Sequence, residues 1–246
     1  ATQNAGVIFE LGGTLGPSEM IRGGFQKVNA NEIRGFTVNG PTIRRPKEST
    51  VYFNAVFNKP IRKILLYANN ELREVNEWNG KDGKILVVFE TEKEKQLLMK
   101  VGMSYTSEEG ASRNLKAEIT HWDFDKVSVQ AQERWNEMLG RIAIEGGTLQ
   151  QQRRFYTDVW RSIQGRRIVS DADGKYADLT GKIMVVRQLP LDGNGKPKFN
   201  MYNSDSFWGA QWTLNTLWQL VYPEIAEAFC LSFLEYYKNG GLIPRG

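Results

Sequence analysis

At 246 residues, with 41% hydrophobic, 11% aromatic and 24% charged side chains, the chain has the composition of a folded globular protein and not of a disordered one. A formal net charge of +4, with acids and bases interspersed, argues against a nucleic-acid partner; the basic groups Arg44–Lys47 and Gln164–Arg167 are too brief for a polyanion groove. No apolar run reaches the roughly 18 residues of a membrane span, so no membrane insertion is expected.

Gly6 to about Thr120 reads as strands: "GVIFELGG" (Gly6–Gly13), "STVYFNAVF" (Ser49–Phe57), "RKILLYAN" (Arg62–Asn69), "KILVVFET" (Lys84–Thr91) and "LLMKVGMSYTS" (Leu97–Ser107). They are short, rich in β-branched and aromatic residues and divided by Gly, Pro and Asn, which predicts a β-sandwich. The Asp-Gly step in "NGKDGK" (Asn79–Lys84) predicts a hairpin between two of these strands. The start of the chain lacks the basic and apolar regions of a leader, and any leader is expected to have been removed.

After Trp122 the hydrophobic period changes. Val127, Ala131, Trp135, Met138 and Leu139 stand at helical spacing, with Asp123 or Asp125 as the cap and Gly140 near the stop. A second helix is expected from Thr148, with Phe155, Val159 and Ile163 on one face and Gly165 closing it. Domains are therefore expected at 1–122 and 123–246. A loop-rich insertion occupies about 166–204, a third helix is expected over Phe207–Val221, and a fourth over Pro223–Lys238. Cys230, the single cysteine, sits among Phe229, Leu231 and Phe233 and is expected as a buried apolar thiol.

Two stretches imitate calcium loops. "DADGK" (Asp171–Lys175) and "DGNGK" (Asp192–Lys196) alternate oxygen ligands, but the twelfth position, where a bidentate Glu belongs, holds Lys182 or Asn203. Both are expected to be Asx turns. "GGTLG" (Gly12–Gly16) lacks the Lys-Ser/Thr pair of a phosphate loop. One His and one Cys leave no set of zinc ligands. No pair of carboxylates announces itself as acid and base: Asp205 is placed to cap the third helix and Glu224 to sit in the first turn of the fourth.

The segment "SDSFWGAQWTLNTLWQLVYPE" (Ser204–Glu224) holds three of the seven tryptophans. On a continuous α-helix Trp208 and Trp212 share one face, whereas Trp218 joins Leu214, Leu217 and Val221 on another. That places Trp218 in the core and leaves Trp208 and Trp212 at the helix start, beside a polar loop, open either to packing or to stacking on the apolar face of a sugar.

With the following residues to Gly246, and with "FYTDVW" and "SDADGKY" before it, this segment closely resembles the glycoside hydrolase family 92 α-mannosidases. "LLMKVGMSYTSEEGASRNLKAEITHWDFDKV" is similar to the same family's passage from β-sandwich to helical domain. The resemblance runs over most of the chain in the same order. It implies a calcium-dependent, inverting exo-α-mannosidase that acts on α-1,2 or related linkages of mannose-containing glycans, with a β-sandwich followed by an (α/α)6 barrel that is incomplete in this chain. It implies substrate contacts at Trp208 and Arg245, with Asp205 and Gln211 as polar neighbours. Many members carry Trp-Asp where this chain has Trp208-Gly209. The general acid, general base and calcium ligands are expected beyond this chain, so the chain is read as an interior fragment, inactive alone. Export to the periplasm or the exterior of a bacterial cell is implied in the same way. The alternatives are another sandwich-plus-(α/α)6 enzyme, such as a glucoamylase-like hydrolase or a glycoside phosphorylase, and a non-catalytic carbohydrate-binding module.

Overall fold

The computed structural model describes residues 4–43, 45–91, 96–164, 167–204 and 207–243. Two compact units divide the chain, Ala1–Trp122 with Asp171–Lys175, and Asp123–Ser170 with Tyr176–Gly246.

The first unit contains β1 (Asn4–Glu10), β2 (Gly13–Leu15), β3 (Ser18–Asn29), β4 (Glu32–Asn39), β5 (Ser49–Phe57), β6 (Ile61–Ala68), β7 (Glu71–Glu74), β8 (Glu77–Gly80), β9 (Lys84–Glu90), β10 (Met99–Ser104) and α1 (Glu108–Glu118). One sheet runs β1-β9-β6-β7 and the other β10-β5-β4-β3-β2, with β8 also paired to β3. Inward residues of both sheets, among them Phe25, Ile33 and Phe57 from one and Ile64, Leu66, Val87 and Phe89 from the other, form a single buried core. Ring pairs join the layers: Phe57 and Phe89 lie 4.7 Å apart between centroids, and Phe9 stacks on Phe53 at 5.5 Å. The sandwich predicted from strand texture is therefore present, each buried large side chain contributing about 1.5–3 kcal/mol.

Three local expectations are corrected. Strands β8 and β9 flank Asp-Gly but do not pair with each other: β8 joins β3 in one sheet and β9 joins β1 and β6 in the other. The connection is a crossing between layers, and Asp82, at φ 56°, takes the left-handed conformation there. Strands β3 and β4 escaped the texture reading because Gly23, Gly24 and Gly35 dilute them. Helix α1 occupies a stretch read as strand; Ser107 caps it by accepting from the Gly110 N–H at 2.9 Å, and Glu108 and Glu109 follow in the first turn.

The returning segment 171–175 is fixed in the first unit by one buried carboxylate. Asp171 accepts from Ser104 Oγ at 2.9 Å, from Asn114 Nδ2 at 2.8 Å and from Thr106 Oγ1, while Asn114 Oδ1 accepts from the Ala172 N–H at 2.7 Å. Gly110 makes the approach possible, because a Cβ there would come within 2.5 Å of Asp171 Oδ2.

The second unit holds α2 (Phe124–Leu139), α3 (Leu149–Ile163), the short hairpin strands β11 (Lys175–Asp178) and β12 (Val185–Gln188), a 3₁₀ turn (Phe207–Trp212), α4 (Leu214–Val221) and α5 (Pro223–Gly240). Asp123 caps α2 by accepting from the Lys126 N–H, and Thr148 and Gln151 form a reciprocal capping box on α3. Gly165, expected to close α3, lies outside the described residues. Helix α5 ends on Gly241 at φ 74°, the left-handed cap that glycine adopts without penalty. Cys230 is exposed, not buried. The buried stripe of α5 runs through Ala228, Phe229, Ser232 and Glu235, so Cys230, one step past Phe229, is rotated about 100° off it.

Candidate functional site

Trp218 and Tyr222 anchor the aromatic segment. The Trp218 ring is 2% exposed and stacks on Phe229 at 5.2 Å and 8°, and its Nε1–H donates to the Ser162 carbonyl at 3.3 Å. Tyr222 is fully buried and its hydroxyl donates to the Met138 carbonyl at 3.1 Å. Both acceptors lie in the last turn of a helix, α3 and α2 respectively, where carbonyls lack a partner within the helix. The two rings therefore bury apolar area and satisfy backbone groups at once.

The corner from α4 into α5 is fastened by Arg141. Its guanidinium donates to the Val221 carbonyl at 3.1 Å and to Glu224 at 2.6 Å, and lies 5.2 Å from the Tyr222 ring centroid. Tyr222 precedes Pro223 and adopts φ −131° and ψ 55°, outside the helical region that a following proline disfavours. Glu224 occupies the first turn of α5 as expected; burial raises its carboxyl, but its own backbone N–H and Arg141 outweigh that and hold it below the usual range.

The expected continuous helix from Phe207 is broken. Residues 207–212 are 3₁₀, Thr213 stands at φ −148°, and the α-helix begins at Leu214. With three residues per turn, backbone positions 208 and 211 fall on one edge and 209 and 212 on the next. Ala210 points into the core, while Gly209, Gln211 and Trp212 are exposed, the last at 75%. Asp205 and Arg245 lie outside the described residues, as does the Trp208 side chain. A Cβ at Gly209 would meet nothing within 4 Å.

A polar cluster that the sequence did not announce ties the β11–β12 hairpin to the end of α5. Asp178, 2% exposed, accepts from Arg187 Nε at 2.6 Å and from the Thr180 N–H and hydroxyl at 2.9 and 2.7 Å. Burial opposes its charge, yet these bonds prevail and hold the carboxyl below its ordinary value. Tyr176 donates to Glu235 at 3.4 Å and accepts from Asn239 at 2.8 Å. Burial pushes the nearby Tyr236 phenol up to about 12, so it stays a neutral donor to the Tyr202 carbonyl at 3.0 Å. The only sequence signal was the turn chemistry of "SDADGKY", which marks a loop and not its contacts.

In both calcium-like stretches the carboxylates are engaged by protein donors. Asp171 is committed to three side-chain donors, Asp173 to Arg113 at 3.0 Å and Lys175 at 3.2 Å, and Asp192 to the Asn194 and Lys196 N–H groups at 2.8 and 2.9 Å. Among the described residues no three His, Cys, Asp or Glu side chains come together as metal ligands. Among the described residues, no set therefore fits calcium.

Comparison with known proteins gives two family matches in chain order: the glycosyl hydrolase family 92 N-terminal domain over residues 1–104 and the glycosyl hydrolase family 92 catalytic domain over residues 110–246. An uncharacterized secreted glycosidase of Arthroderma benhamiae is 37% identical over 149 residues, covering 59% of this chain and 14% of the relative. Among solved structures, the family GH92 alpha-mannosidase BT3965 of Bacteroides thetaiotaomicron superposes with a TM-score of 0.82 at 21% identity, over 96% of this chain and 31% of that one. The inverting mannosidase BT2199 of Bacteroides thetaiotaomicron gives 0.80 at 22%, over 98% of this chain and 31% of that one. BT3965 in complex with mannoimidazole gives 0.81 at 21%, over 96% and 30%. The chain thus spans about a third of the length of these structures and less of the fungal relative.

Proposed function

Since the chain belongs to glycosyl hydrolase family 92, we propose that the protein of which it is part is an exo-acting α-mannosidase that releases terminal α-linked mannose, α-1,2 or a related linkage, from glycans with inversion. The observation that carries this reading is the succession of both family domains, sandwich and then helices, along one chain. Inversion requires one carboxylic acid to protonate the leaving oxygen and a second carboxylate to activate water, the pair standing roughly 6.5–9.5 Å apart. The carboxylates of the second unit at Asp178, Glu224 and Glu235 are engaged by Arg187, Arg141 and Lys238. That supports assigning the acid and base to the part of the protein not spanned here.

This chain's contribution is to bind the sugar. In this reading Trp208 stacks on the sugar and Gln211 contacts its hydroxyls, with Asp205 and Arg245 as further polar partners. Calcium dependence belongs to the same reading, its ligands supplied outside these 246 residues, and so does export, which the secreted fungal relative supports. The whole protein should hydrolyse 4-nitrophenyl α-mannoside in preference to the α-glucoside, lose that activity on chelation and regain it with calcium. Preference for the glucoside, or a requirement for phosphate, would assign the protein to a glucoamylase-like or phosphorylase activity instead. The 246-residue chain alone is expected to release no mannose.

A further inference from the structure

We propose that the outer face of the sandwich carries a second sugar site, a groove that takes one neutral hexopyranoside residue. Along one row of the sheet, Asn79 of β8, Gly24 of β3, Phe36 of β4 and Tyr52 of β5 stand opposite one another, and in the next row Glu77 pairs with Gln26. Gly24 carries no side chain between Asn79 and Phe36, which lets the Phe36 ring lie across it: a Cβ there would come within 2.8 Å of that ring and 3.0 Å of the Trp78 carbonyl. Glu108, at the start of α1, closes one end, where Gln26 Nε2 donates to its carboxylate at 3.4 Å.

The resulting groove holds about 400 Å³ and is lined by Phe36, Gln26, Asn79, Glu77 and Glu108 together with Phe25 and Trp78, a volume within the roughly 300–1,000 Å³ of small-molecule sites. Its chemistry is that of a polyol receptor. Two amides both donate and accept, as sugar hydroxyls do; two carboxylates accept; an aromatic ring offers a surface to C–H groups. The lining holds two carboxylates and no Lys or Arg, and of the nearby guanidiniums Arg22 lies 5.6 Å from the Phe36 ring centroid while Arg34 is engaged by Glu32 and Glu109, so a neutral ligand is favoured over an anionic one. Burial and the neighbouring Glu109 push the Glu108 carboxyl up, a cost that a hydroxyl donor offsets. The choice of mannose over another neutral hexose rests on the mannosidase reading.

Titration of the 15N-labelled chain with methyl α-mannopyranoside tests the site by NMR. The Gln26 and Asn79 side-chain amides should shift saturably with a Kd of roughly 1–10 mM, and Asn79→Ala should weaken binding at least about fivefold, the equivalent of one lost hydrogen bond. Should Asn79→Ala unfold the chain, exposed Gln26→Ala provides the same readout. Amides that stay unmoved to about 50 mM sugar, well above that Kd, overturn the proposal, as does binding of mannose 6-phosphate at least as tight, or a response to methylammonium but not to the sugar. Saturable shifts with no mannoside hydrolysis by the whole protein would sink the mannosidase reading and leave the groove; hydrolysis without shifts would sink the groove alone.

Discussion

Gly209 stands where the family resemblance read from the sequence implies an Asp after the tryptophan. The exposed 3₁₀ turn leaves its Cβ direction open, with no atom within 4 Å, so Gly209→Asp should change stability by no more than about 0.5 kcal/mol. If a carboxylate at this edge holds the sugar, the same substitution in the whole protein should tighten mannoside binding, read by calorimetry; unfolding or weaker binding would contradict both the geometry and the assignment. Asp178 makes a different kind of prediction. Its carboxyl titrates lower in the folded chain than the unfolded value of about 3.9, so it stabilises the fold above that pH, and the contribution is lost as pH falls through the folded value. Urea unfolding followed from pH 5 downward should therefore show a shallower acid-side loss in Asp178→Asn than in the parent chain. Identical slopes would mean that the Arg187 and Thr180 bonds do not favour the ionised form.

Helices α4 and α5 depend on Trp218 in two ways, through its stack on Phe229 and its bond to the end of α3. Trp218→Ala should cost about 3–5 kcal/mol, whereas Trp218→Phe, which keeps an aromatic ring and loses only the indole donor, should cost less than half of that; equal losses in thermal unfolding would assign the stability to the hydrogen bond. The role of Trp218 was legible because Leu214, Leu217 and Val221 repeat at helical spacing. The capped helices α2 and α3 were legible for the related reason that Asp123 and Thr148 mark their starts. The 3₁₀ turn was not, because period-3.6 counting assumes that a helix continues, and no local residue announces the break at Thr213. Asp-Gly in "NGKDGK" correctly marked a tight turn, but a turn signal carries no information on which sheet the next strand joins. Cys230 was misplaced because its apolar neighbours in sequence lie on other faces of α5.

For the whole molecule, the order of sandwich and helices was readable because strand texture ends and helical spacing begins on either side of Trp122. What local pattern could not supply is the long-range bonding of Asp171 to Ser104, Thr106 and Asn114, which draws a five-residue segment of the later sequence into the first unit. For the site the sequence offers only the expectation of Trp208, Asp205, Gln211 and Arg245, two of which, Asp205 and Arg245, lie outside the described residues. The reaction itself is decided by one measurement, proton NMR of the sugar that the whole protein first releases from α-1,2-mannobiose in the presence of calcium. An inverting α-mannosidase gives β-mannose before mutarotation. First-formed α-mannose would contradict inversion, and no release of mannose would contradict the proposed activity.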